Sequence, residues 1–168
     1  MAGRVTVDSP CTFVFVTADF FAMLRREFHN EEASMVTEVF VMCDGANDSH
    51  GKLNVLGAFD MIVAHEFPFI HPHCTLAVRL RHDATENPEI RVRFIIQGAS
   101  GEPNLASIDT TVKHFATDNP TSASNIIVNM NSLRFEKPGD YAVILQVDGL
   151  PVAITPLYVR SAQTGSVH

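Results

Sequence analysis

Five potential metal ligands fall within ten residues of this chain, namely His65, Glu66, His71, His73 and Cys74. On a strand, His71 and His73 would point to the same side, as a shared cation requires. Pro72 stands between them and disfavours regular strand geometry, and spacing alone shows no distant further ligand. The reading carried forward is a connecting loop whose histidines cap backbone groups or face water. No metal and no cofactor are therefore expected; were a metal bound, His71, His73 and Cys74 would hold it.

A second oxygen-rich stretch, Asp44-Gly-Ala-Asn-Asp-Ser-His-Gly51, lacks the ligand order and the closing bidentate Glu of a calcium loop. Asx-type turns in a hairpin connection account for the same residues. Nucleophilic catalysis has no support, because there is no G-x-S-x-G elbow, and Cys43 and Cys74 fall on apolar runs where a buried thiol is inert. No P-loop or dinucleotide fingerprint is present, and Ser100 in Gly98-Ala-Ser-Gly101 reads as a turn. The chain is expected to be no enzyme, with no catalytic residues.

Four arginines make the sharper candidate. Leu76, Val78 and Leu80 share one face of a strand whose other face carries Arg79 and Arg81; Ile90, Val92, Phe94 and Ile96 likewise oppose Arg91 and Arg93. The polar connector 82–89 contains Asn87-Pro88, so the two runs are expected to pair as a hairpin, setting Arg79, Arg81, Arg91 and Arg93 side by side. Like charges opposed in a sheet are destabilising unless acids neutralise them or an anionic partner binds. Asp109 on the next run is the expected internal counter-ion.

The elements that would position these residues are strands. From Thr37 onward, period-two runs alternate with turn clusters at roughly 37–43, 53–64, 74–82, 89–97, 105–114, 125–134, 140–148 and 152–159, about eight strands in all. The run 53–64 is apolar on both faces and reads as a central buried strand, with Gly57 as a bulge or a place of close backbone approach. Lys137-Pro-Gly-Asp-Tyr141 reads as the turn that signals the last hairpin, Asp148-Gly149 as a tight turn into the final run, and Pro156 belongs at a sheet edge or bulge. Before the strands, Phe20, Leu24 and Phe28 recur at helical spacing, with Thr17 or Asp19 as a cap, which predicts a short helix in an N-terminal extension over residues 1–34. An alternative is that this segment is loosely attached, with Met35 as an initiation site. Residues 35–161 form the β domain, and 162–168 a disordered tail.

The totals bound the function. The sequence has 168 residues, is 46% hydrophobic and carries a formal charge of −7 with only 12 Lys and Arg, enough for one core and poorly suited to phosphate binding. Neither nucleic acid nor membrane is an expected partner, since the apolar run 11–24 is broken by Asp19 and too short to span a bilayer. Three widely spaced cysteines without a C-x-x-C indicate no disulfide framework, and a cytoplasmic location is expected.

Three ordered motifs carry a resemblance: Gly51-Lys-Leu-Asn-Val-Leu-Gly-Ala-Phe-Asp60, Phe67-Pro-Phe-Ile-His-Pro72 leading into Leu76-Ala-Val-Arg-Leu80, and Leu133-Arg-Phe-Glu-Lys-Pro-Gly-Asp-Tyr141. In these the chain resembles, over 37–160, a bacterial family of single-domain proteins of unknown function. The resemblance implies an immunoglobulin-like, antiparallel β-sandwich and no activity, ligand or catalytic residue. The expectation is a non-catalytic interaction or structural module binding a protein partner or itself, through a sheet edge or the arginine face. The alternative is a small-molecule or metal-binding protein using the His65–Cys74 loop.

Overall fold

The computed structural model describes residues 35–83, 89–98, 104–113, 119 and 121–162. The helix expected around Phe20, the turn at Ser100 and the tail beyond Ala162 lie outside the described residues. Within them the chain is all β: β1 (Val36–Ser49), β2 (Lys52–Phe59), β3 (Met61–Ala64), β4 (Phe69–Asp83), β5 (Glu89–Gly98), β6 (Ala106–Lys113), β7 (Thr121–Phe135), β8 (Gly139–Val147) and β9 (Leu150–Ser161). These strands form two sheets, ordered β2-β1-β4-β7 and β3-β9-β8-β5-β6. All ladders among them are antiparallel except β3 with β9, which is parallel.

The extra strand comes from the 53–64 run. It is two strands broken at Asp60, and each lies at the edge of a different sheet rather than at a centre. Its apolar content on both faces has a simpler cause: β3 buries Ile62 and Ala64 and exposes Met61 and Val63, while Leu56 of β2 faces solvent.

One core fills the space between the sheets. Leu76, Val78 and Leu80 from β4 share it with Val92, Phe94 and Ile96 from β5 and with Val143 and Leu145 from β8. Burying side chains of this size stabilises by roughly 1.5–3 kcal/mol each before conformational entropy is charged. The alternation expected for β4 and β5 is what delivers them.

At one end the pattern changes sides. The β4–β7 ladder keeps a single register from Phe69↔Phe135 to Asp83↔Thr121. Even-numbered residues are buried in one stretch (Leu76 and Val78, Ile126 and Met130), whereas Leu133 and Phe135 are buried in the other. Pro72 and Ser132 stand across from each other at the change, and Ser132 has φ 57, a left-handed conformation that turns the strand over. Pro72, which has no N–H to donate, is tolerated where the ladder is already interrupted.

The turns follow their residues. Asp148 and Gly149 have φ 49 and 85, the signature of a two-residue hairpin turn joining β8 to β9. Lys137–Gly139 instead carries the chain from one sheet to the other, so it is an inter-sheet connection and not the hairpin its sequence suggests. Pro156 sits in β9 opposite Ala142, two residues before the β3 pairing begins at Tyr158, where its missing donor is unneeded.

Candidate functional site

The histidine cluster is strand from Phe69 on, not the expected loop: His71 pairs with Leu133 and His73 with Asn131. His71 lies between Phe59 and Phe69, with ring centroids 5.9 and 6.2 Å away, and its Nε2 is buried with no hydrogen-bond partner among the described residues. Burial pushes its pKa below the usual histidine value, so the ring is neutral at pH 7. His73 Nδ1 shares a 2.9 Å hydrogen bond with Asn131 Oδ1. Cys74 is fully buried, and that burial pushes its thiol up to about 11. His65 and Glu66 are exposed in the bend before β4. Among the described residues no three His, Cys, Asp or Glu side chains are placed to hold a metal ion together.

The four arginines are not side by side. β4 pairs with β1 and β7, while β5 pairs with β6 and β8 in the other sheet. The connector 82–89 therefore crosses between sheets, and the shared polar face expected from a β4–β5 hairpin is replaced by two faces on opposite sides of the sandwich. Period-two alternation is identical for strands paired with each other and strands packed across a core, which is why the sequence pattern permitted the wrong pairing.

On the four-stranded side, Arg79 and Arg81 share one acid. Glu38, the extra residue at an irregularity in β1, accepts from Arg79 Nε at 2.7 Å and from Arg81 Nε. The Arg81 and Arg79 guanidiniums together hold the Glu38 carboxyl below the usual carboxylate range. Arg79 also donates to Gly51 O at 3.1 Å and Asn125 Oδ1 at 2.8 Å, and Arg81 to Thr121 Oγ1 at 3.1 Å. Both cations are thus committed within the molecule.

Those contacts reveal a fold-back in the β1–β2 hairpin. The pairing of β1 with β4 runs from Val36↔Arg81 to Cys43↔Thr75, away from Arg79, yet the hairpin turn at Gly51 returns to Arg79. A straight hairpin would place that turn, twelve residues beyond the Val39 that pairs with Arg79, about 40 Å away at roughly 3.3 Å per residue. The chain bends where Asp44 faces Gly57, whose φ is 63, and the segment beyond lies along the side of the sheet remote from the core. Asn125 Nδ2 donates to Asp48 Oδ2, and the Gly51 N–H to Asp48 Oδ1 at 2.9 Å; these bonds, led by Asn125, lower the Asp48 pKa. The Asp48 carboxylate closes the turn by accepting from the Gly51 N–H three residues on, and residues 44–49 extend β1 instead of forming the expected loop of Asx-type turns.

On the five-stranded side the outward face carries an apolar strip. Ile95, Ile144 and Ile154 are neighbours across β5, β8 and β9, Ala142 is beside Pro156, and Tyr158 is beside Met61. Met61 and Val63 are 52% and 56% exposed. Charge rims the strip: the Arg160–Asp140 pair at 2.6 Å at one end, and the Arg93–Asp109 pair at 2.6 Å at the other. Asp109 is the counter-ion expected for Arg93. Arg91, exposed in a concavity of roughly 660 Å³ with Glu89, Gln146 and Asp148, makes no side-chain ion pair among the described residues. Asp148 is occupied instead by the Arg91 backbone N–H at 3.0 Å. Sequence reading missed this strip, although apolar residues at both parities of β8 (Ala142 and Ile144 between Tyr141, Val143 and Leu145) are its signal.

The chain matches the pattern of the family of unknown function DUF6941 over residues 38–160, and it belongs to that family. No curated protein matches it. Among solved structures it is similar to a Pseudomonas fluorescens alkylpurine DNA glycosylase bound to DNA containing an abasic-site analogue, at 14% identity and TM-score 0.47, covering 76% of this chain and 31% of that one. It is similar to a Listeria innocua β-glucosidase at 8% identity and TM-score 0.42, covering 75% of this chain and 16% of the enzyme. The third is an immunoglobulin-like protein from Pseudomonas aeruginosa, at 10% identity and TM-score 0.37, covering 78% of this chain and all of that one. The chain thus spans under a third of the first two proteins.

Proposed function

We propose that this member of the family is a non-catalytic interaction module, an immunoglobulin-like sandwich that engages a protein partner with the outward face of its five-stranded sheet. The observation that carries the reading is the strip of Ile95, Ile144 and Ile154 with Pro156, Met61 and Val63. A solvent-facing antiparallel sheet ordinarily alternates polar residues outward, and contiguous apolar surface rimmed by charge is the composition of a binding face. Arg91 supplies at its margin an exposed guanidinium that makes no ion pair among the described residues, suited to a carboxylate on the partner. Arg79 and Arg81 lie on the other sheet, where both pair with Glu38. We place the module in a reducing, cytoplasmic setting on its widely spaced cysteines, two of which, Cys43 and Cys74, are free thiols.

Affinity capture with the full chain tests the reading. Ile144→Lys and Arg91→Glu should each lose the stoichiometric partner that wild type retains, while Arg134→Glu, paired with Glu136 elsewhere, keeps it. Equal capture by wild type and Ile144→Lys, with circular dichroism unchanged, would remove the proposal.

A further inference from the structure

The β1–β2 hairpin beyond Asp44 returns along the outer side of its own sheet, and three side chains on that side, Cys43, Thr75 and Ala77, are fully buried. A position facing away from the sandwich core is normally solvated. We infer that residues 44–57 form a latched strap over this strip, which opens as a unit while both sheets stay intact.

The two ends of the strap differ in kind. Its hinge is backbone: Gly57 in a left-handed conformation, with the Asp44 side chain so near that a Cβ on Gly57 would meet Asp44 Oδ2. Its latch is side-chain hydrogen bonding at the surface: Asn125 to Asp48, and Arg79 to Gly51 O. Asn47 and Asn54 bond to each other across the strap at 2.8 Å, so the hairpin holds together when the latch releases. No large core side chain is committed to it, since Val55 and Leu56 are 38% and 73% exposed. Segments secured by a few exposed polar bonds open at far lower cost than the domain unfolds. Opening uncovers Cys43, Thr75 and Ala77, a mid-sheet strip distinct from the strip on the five-stranded side.

Cysteine alkylation of the full chain by N-ethylmaleimide, quantified peptide by peptide, separates strap opening from unfolding. Cys43 lies beneath the strap, and Cys74 points into the core on the neighbouring strand. Asn125→Asp sets a like charge against Asp48, and Arg79→Gln removes the cation at Gly51 O. Each should speed Cys43 labelling roughly tenfold over wild type, the effect of losing one or two such bonds, with Cys74 labelling unchanged. Cys43 labelling at the wild-type rate in both variants would overturn the inference, as would equal acceleration of Cys43 and Cys74.

Discussion

Replacing Gly57 with alanine perturbs the hinge at one atom. Gly57 has φ 63, a conformation that costs an L-residue about 1–2 kcal/mol. The added Cβ would also run into Asp44 Oδ2 and lie 2.8 Å from Asp44 Cγ, so the Asp44 side chain must rotate or the backbone must shift. That displacement adds roughly 1 kcal/mol. The expected total is about 2–3 kcal/mol, or a melting temperature lower by roughly 5–10 °C for a domain of this size. Urea denaturation followed by circular dichroism reads the change as a lower midpoint. Gly57→Ala in an Asp44→Gly background isolates the dihedral cost, and should be smaller by about 1 kcal/mol. A Gly57→Ala protein within about 0.5 kcal/mol of wild type would refute the left-handed hinge.

Other consequences are as direct. Phe94→Ala, which empties a fully buried position between the sheets, should cost about 3–5 kcal/mol by urea midpoint; a cost below about 1 kcal/mol would contradict the shared core. The depressed pKa values of Glu38 and Asp48 stabilise the folded state above the ordinary carboxylate range, and that contribution is lost as pH falls through their folded values. Urea midpoints measured from pH 6 to pH 3 should therefore fall, and fall less steeply for Glu38→Gln; parallel curves would exclude Glu38. Asp109→Ala breaks an exposed pair and should change stability by less than about 0.5 kcal/mol, as a thermal melt would show. Cys74, with its thiol raised to about 11, should resist alkylation at pH 8 until urea unfolds the chain.

Residues that alternate cleanly were legible from the sequence, and their partners were not. The burial of Leu76, Val78 and Leu80, and of Ile90 to Ile96, follows from period two, as does the outward placing of all four arginines. Which strand lies beside which depends on long-range packing, so the connector 82–89 read as a hairpin while the chain crosses between sheets. Gly57 stood out as a glycine inside a strand, but the β1–β2 register runs through it without a bulge, and what it supplies is a φ of 63 beside Asp44; the fold-back it permits depends on Arg79 and Asn125, far away in sequence. Pro72 suggested a loop, and only Ser132, on the other side of the ladder, explains how a strand absorbs it. The apolar strip was hidden in β8 and β9, where apolar residues at both parities read as ordinary core.

Met61 offers the most direct test that the five-stranded sheet is the binding face, because its thioether is exposed on that face and records solvent access by oxidation to the sulfoxide. Full-length protein should be treated with dilute peroxide in native lysate and, at the same concentration, after purification, with Met61 sulfoxide quantified by mass spectrometry. A partner on the strip predicts severalfold slower oxidation of Met61 in lysate, with the protection abolished by Ile144→Lys. Equal oxidation of Met61 in both settings, after correction for peroxide consumed by the lysate, would contradict it.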